Sequence, residues 1–287
     1  MSKIAIMTDS NSGISMKKAK AYGVNVIPMP FNINGVEFLE GVDLSHNEFF
    51  RLQKDGAKIF TSQPSPASVM EMWDKLLEEN DYVIHIPMAG NLSSSMATAV
   101  AMSADYDGRV IVVDNQRVSM SQKQAVLEAK MLADEGKSAT EISQILTYHK
   151  DDASIYITVD DLKYLKAGGR INAATAAVGS VLNIKPILSV KDGRIEAVGK
   201  ARGIKAAQKQ ILQNLDKDME EKFHSDNIDD YVIYTAAALP REEAIAWNDK
   251  VREHFGAFSQ IEAVPLSIAT HVGIGAFGAC LCKRIFK

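Results

Sequence analysis

Short β-branched apolar runs alternate with longer amphipathic stretches along the first half of the chain. Apolar runs bounded by polar or turn residues read as strands, and apolar positions recurring every three or four residues read as helices. This pattern predicts strands over 3–7, 24–31, 36–39, 81–88, 109–114 and 154–159. It predicts helices over 14–22, 45–54, 66–79, 96–102, 121–134 and 139–149. Pro28 and Pro30 place the second strand at a sheet edge or end it early. Asn34-Gly35 signals a hairpin turn, and Ser65 followed by Pro66 signals a helix start.

Past residue 159 the pattern changes. Asp160 or Asp161 caps a short helix that Gly168-Gly169 ends, leaving Arg170 just outside it. Residues 173–183, rich in Ala with Gly and Ser, read as a tightly packed helix or one leaving room for something beside it. A hairpin over 186–190 and 194–198 turns at Lys191-Asp192-Gly193. A long amphipathic helix over 204–222, a strand over 231–236, a helix over 241–255 and strands over 259–265 and 278–285 follow. The expected fold class is α/β in two domains. Residues 1–159 form a mainly parallel sheet with helices on both faces, and 160–287 a smaller α+β domain.

A chain of 287 residues can bury a sizeable core and favours two domains over one. The net charge of -4 and the absence of a basic block argue against nucleic acid and anionic membrane surfaces as partners. The opening apolar run is too short for a secretion signal. The stretch 173–184 is interrupted by Gly179, Ser180 and Asn183, and falls short of the roughly 20 residues of a membrane span. A cytoplasmic protein without stable membrane insertion is therefore expected. Cys280 and Cys282 sit two apart on an expected strand, close to the geometric limit for bridging, so reduced thiols are expected.

The candidate chemistry centres on Asn91-Leu92-Ser93-Ser94-Ser95, a hydroxyl-rich turn between a strand and a helix. Unpaired N–H groups and the helix dipole attract anions at such a place. Ser93 is the best N-cap candidate, with Ser94 and Ser95 in the first turn; the serines either cap the helix or face a ligand. Gly273-Ile-Gly275-Ala-Phe-Gly278 matches the dinucleotide fingerprint in letters, but no βαβ unit surrounds it, so close backbone approach is the better explanation. The six histidines form no ligand-spaced pair, so no metal is expected. His85 reads as a core histidine, while His271 falls in a glycine-rich loop, where function tends to sit. Ser93 lacks the G-x-S-x-G elbow, which leaves a serine hydrolase using Ser93, His271 and Asp9 as the rival to a binding protein. A carrier or sensor of a non-lipid small molecule is a further alternative.

Thr8-Asp9-Ser10, Thr61-Ser62-Gln63-Pro64-Ser65, Leu92-Ser93, Tyr164-Leu165-Lys-Ala-Gly-Gly-Arg170, Ile184-Lys-Pro-Ile187 and His271 with its glycines occur in one order along the chain. In that order and spacing the chain resembles the DegV family, whose best-characterised members are fatty-acid-binding subunits of bacterial fatty acid kinase. The resemblance implies two domains holding one long-chain fatty acid between them, such as palmitate, stearate or oleate. It implies a carboxylate site at Thr61 and Ser93, with Ser62, Ser94 and His271 beside it. It also implies presentation of the ligand to a separate kinase catalytic subunit, with no catalytic residue and no cofactor in this chain. The family's Leu-Ser-Gly-Thr is Leu92-Ser93-Ser94-Ser95 here, so Ser94 stands where a glycine could adopt positive φ. Arg170 and Arg202, with Lys166 and Lys200, are expected in turns and are candidates for docking an acidic partner. The 12 methionines suit either an adaptable pocket or ordinary core filling.

Overall fold

The computed structural model describes residues 2–171 and 183–286. The helix expected over 173–183 therefore lies, apart from Asn183, outside the described residues. Strands β1 (Ile4–Asp9), β2 (Asn25–Ile27), β6 (Tyr82–Ile86) and β7 (Val110–Val112) form a parallel sheet in the order β2-β1-β6-β7. Strands β3 (Pro30–Ile33), β4 (Val36–Leu39) and β5 (Ile59–Thr61) form a small antiparallel sheet ordered β4-β3-β5. Strands β8 (Ala153–Thr158), β9 (Ile184–Lys191), β10 (Arg194–Arg202), β11 (Tyr231–Ala237), β12 (Ser259–Ala263) and β13 (Phe277–Lys283) make a six-stranded sheet. Its order is β10-β9-β8-β13-β11-β12, and its only parallel pair is β11 with β12.

Among the described residues the α-helices are α1 (Met16–Tyr22), α2 (His46–Lys54), α3 (Pro66–Leu77), α4 (Ser95–Ser103), α5 (Met120–Asp134), α6 (Ala139–Tyr148), α7 (Lys163–Ala167), α8 (Ile204–Glu221), α9 (Arg241–Phe255) and α10 (Leu266–Val272). Their starts follow local chemistry. Ser15, Ser45, Ser65 and Ser138 each accept a hydrogen bond from an N–H three residues on, and Pro66 fills the first helical position of α3.

Two expectations are corrected and one is borne out. The strand expected over 24–31 ends early at the edge of the parallel sheet, as Pro28 and Pro30 signal, and the chain resumes after Pro28-Met29 in the small sheet. Proline removes a ladder donor, and the chain changes sheet there. The strand expected to close the parallel sheet, β8, instead pairs antiparallel with β13 and β9. Its alternation marks it as a strand, but pairing partners are chosen by contacts remote in sequence. Finally, Leu266–Val272, expected as loop, is a helix. Pro265 at its start and Gly273 at its end bracket it in the way helices favour.

A hydrophobic cluster joins the two larger sheets through Leu92, Val118 and Met120 on one side and Ile155, Tyr234 and Ala269 on the other. Ion pairs cross the same boundary. Lys123 of α5 is 1% exposed at its side chain and pairs with Glu262 of β12, which also meets Lys18 of α1. Removing one partner of a buried pair strands the other charge away from water, at a cost of about 3–5 kcal/mol. Lys123→Ala should lower the unfolding free energy by that amount in urea titrations. A change near zero would show that the pair contributes nothing to holding α5 against the six-stranded sheet.

Candidate functional site

The loops leaving β1, β2, β6 and β7 lie together at the carboxyl edge of the parallel sheet, where open α/β sheets bind ligands. Asp9, 1% exposed, organises this edge. Its carboxylate accepts from the N–H of Asn11 at 3.1 Å, from the N–H of Met88 at 2.8 Å and from Gln122 Nε2 at 3.0 Å. Burial raises the Asp9 pKa, and these three donors oppose the shift. Asp9 thereby fixes the loop that runs through Met88 to Ser93.

Between this edge and the face of the six-stranded sheet is a cavity of about 380 Å³. Val118, Met120, Ile155, Val264, Ala276 and Phe277 line it and are buried. Thr61, Ser93, His271 and Arg170 line it as half-buried residues, and Ser62 and Ser94 as exposed ones. The cavity is thus apolar in its depth and polar at its mouth. Among the described residues no group of acidic, histidine or cysteine side chains is arranged to hold a metal.

At the mouth, Thr61 Oγ1 and His271 Nε2 are hydrogen-bonded at 2.9 Å. Burial, followed by the charge of Arg170, lowers the His271 pKa to about 4, so the ring is neutral near pH 7. Arg170 Nε donates to the Leu92 carbonyl at 3.3 Å, and its Nη1 donates to the Gly168 carbonyl. Ser93 Oγ accepts from the Ser95 N–H at 3.2 Å and lies 2.9 Å from Ser95 Oγ. Thr98 Oγ1 donates to Gln63 Oε1 at 3.2 Å, tying the segment after β5 to α4. The hairpin turn between β9 and β10 reaches the same region, where Asn91 Nδ2 donates to the Asp192 carbonyl at 2.8 Å.

The DegV family model matches residues 3–284. This chain belongs to the DegV family. A DegV domain-containing protein of Deinococcus radiodurans is 32% identical over 97% of this chain and 98% of its own length. One from Caldanaerobacter subterraneus is 36% identical over 74% of this chain and 76% of its own. Among solved structures, a DegV family protein of Thermus thermophilus, described as fatty acid binding, superposes with a TM-score of 0.89. It shares 31% identity over 98% of this chain and 100% of its own. Bacillus subtilis DegV, described as a fatty acid binding protein, has a TM-score of 0.87 and 26% identity over 99% of this chain and 100% of its own. The mixed α/β architecture is the DegV fold.

All five ligand residues expected from the DegV resemblance, Thr61, Ser62, Ser93, Ser94 and His271, line the one cavity. Two details differ from expectation. The cap position of α4 is Ser94, without a side-chain cap bond, and Ser93 serves the Ser95 N–H from one residue earlier. Ser93 is therefore a residue before the cap rather than the cap itself, while Thr61, at the end of β5, precedes the Ser65 cap of α3. Lys200 and Arg202 lie exposed in β10 rather than in a turn, while Arg170 faces the cavity. Ser94 has φ -68°, so the residue replacing the family's glycine carries no left-handed strain. The glycines after His271 provide close approach. At Gly273 (φ +74°) and Gly275 (φ +87°) an added β-carbon would overlap Tyr164 and Asp160.

Gly168 serves His271 in the same way. With φ -76° it accepts any residue's backbone, but a β-carbon there would lie 2.2 Å from His271 Nδ1. Gly168→Ala should push the ring away from Thr61 toward solvent. An NMR titration of His271 should show a midpoint near 4 in the unaltered protein and a shift toward 6.5 in Gly168→Ala. The sign follows from burial: above 6.5 the depressed pKa costs nothing, and stability is lost as the pH falls from 6.5 through 4. An unshifted midpoint in Gly168→Ala would mean that the ring stays in place.

Proposed function

We propose that this chain binds a long-chain fatty acid in the cavity and presents it to a separate fatty acid kinase catalytic subunit, which forms the acyl-phosphate. The supporting observation is an apolar cavity whose mouth gathers Thr61, Ser93 and neutral His271, with the Arg170 cation beside them. The Thermus thermophilus and Bacillus subtilis relatives described as fatty acid binding support it further. The carboxylate accepts from the Thr61 and Ser93 hydroxyls and lies within the field of Arg170. The tail occupies the apolar depth, where each buried CH₂ contributes about 0.8 kcal/mol. Ser62 and Ser94 form the exposed rim through which the head group meets the kinase.

The hydrolase reading fares worse on geometry. His271 Nε2 is engaged by Thr61, Ser93 Oγ by Ser95, and Asp9 by two backbone N–H groups and Gln122. A nucleophile needs its base within hydrogen-bond reach and that base held by a third group.

Native mass spectrometry of the purified protein should show a mass gain matching a long-chain acid. Ser93→Ala should weaken binding about ten- to a hundredfold, the value of one charge-assisted hydrogen bond of about 1.5–3 kcal/mol, leaving the tail's affinity. Stoichiometric fluorophosphonate labelling of Ser93, with lipid retained in Ser93→Ala, would reject the carrier reading.

The partner-facing cations are Arg170 at the mouth and the exposed Arg202, which engage an acidic surface or the developing acyl-phosphate. Charge reversal at Arg202 should reduce acyl-phosphate formation with added kinase while bound lipid remains, whereas Arg170→Glu, on the cavity wall beside the carboxylate, should weaken lipid binding as well. Unchanged lipid binding in Arg170→Glu would confine Arg170 to partner docking.

A further inference from the structure

The six-stranded sheet is forked. Strand β8 pairs with β9 through Tyr156 with Ser189, Ile157 with Leu188 and Thr158 with Ile187. The next pair in that register, Ile155 with Val190, is not joined by the ladder. From there β8 continues beside β13, β9 continues beside β10, and the two halves of the sheet part. Residues directly opposite in an antiparallel register point to the same face, and Ile155 and Val190 both pack in the hydrophobic cluster on the cavity side. Ile155 stands about 10 Å back along the strand from the end of β8 that leads, through α7, to Gly168 against the His271 ring.

A second cavity, of about 510 Å³, fills the fork. Its wall is unlike that of the first, because Lys150, Asp151, Lys191, Asp192, Asp218 and Lys222 supply charge of both signs. Lys222 Nζ donates to the Ala153 carbonyl at 2.7 Å and to Ser154 Oγ at 3.2 Å. A cation thus takes up polar groups of β8 where β9 has turned away, as a strand leaving its ladder requires. Among the described residues, only Ile155 and Val190 line both cavities. At this point the wall between a hydrocarbon interior and a charged cleft is a single residue thick.

We propose that Ile155 and Val190 form the stop that sets how long an acyl chain the cavity accepts. This rests on the reading of the cavity as a fatty acid site. A methylene on the near side of the stop leaves water for apolar surroundings and gains accordingly. One driven past it enters the charged fork, where it gains little and separates polar groups from their partners. Lengthening the chain therefore strengthens binding only as far as the stop.

The test is calorimetric titration of the delipidated full chain with the saturated, even-numbered acids from dodecanoic to eicosanoic acid. In the unaltered protein, affinity should rise about fourfold for each added CH₂ and then stop rising within that series. Val190→Ala trims the stop at a half-buried position and should carry the rise to longer acids. Ile155→Ala should do the same, and Val190→Ala decides the matter if the more buried site does not tolerate the change. Val264→Ala removes the same atoms elsewhere on the cavity wall and should leave the break where it was. The stop is overturned if affinity keeps rising through eicosanoic acid in the unaltered protein. It is equally overturned if the break stays in place in folded Val190→Ala, or moves as far in Val264→Ala. If no acid of the series binds at all, the fatty acid reading itself fails, and the stop with it.

Discussion

Two carboxylates with almost no access to water, Asp9 and Glu40, sit where loops from several parts of the chain converge. Water cannot solvate them, so they require donors from protein, and the donors they take are largely backbone N–H groups and hydroxyls. Asp9 draws in Asn11, Met88 and Gln122, which lie on the first strand's loop, the loop toward Ser93 and the body of α5. Glu40 draws in Ser10, Ser267 and the first N–H of α10. Through these bonds the serine turn, the N-terminal loop and the helix carrying His271 hold fixed positions around one cavity. Burial raises both carboxyl pKa values, and the same hydrogen bonds oppose the rise.

The cavity arises from how two sheets meet. The carboxyl edge of a parallel sheet is a row of loops and helix starts, rich in polar groups, whereas the face of the six-stranded sheet is apolar. Placing one against the other gives a space with a polar rim and a hydrocarbon interior. Ile155 and Ile157 of β8 and Ala276 just before β13 supply the interior; Ser93, Thr61 and His271 supply the rim. Small residues then set the fine geometry. Gly168 leaves room for the His271 ring, and the glycines at 273 and 275 let the following loop pass over Tyr164 and Asp160.

His85 shows how position decides chemistry. Both its nitrogens are buried without a partner, and its ring packs edge-on to Trp73 at 5.6 Å. Burial alone lowers its pKa to about 3, which makes it a neutral core residue. His271 is also depressed by burial, but it reaches Thr61 at a cavity mouth. The same side chain is filler in one place and lines a cavity mouth in the other.

The sequence by itself determined the local structure. The Ser65 cap, Pro66, the Asn34-Gly35 turn and the hairpin at Asp192-Gly193 are encoded within a few residues, and each appears where it was expected. The family motifs likewise named Thr61, Ser93 and His271, which the fold gathers at one cavity. The tertiary structure decided everything that depends on distant neighbours. It placed β8 in the six-stranded sheet, because a strand's alternation marks its faces but not its partners. It set Arg170 on the cavity wall and made Asn11 part of that wall, although neither has a local signature. The helix carrying His271 lies between these cases. Pro265 and Gly273 bracket it in the sequence, but seven residues give too few turns for a periodic signal, and contacts remote in sequence secure it, among them the buried Glu40 carboxylate at its N-terminus and Gln53 at the Ala269 carbonyl.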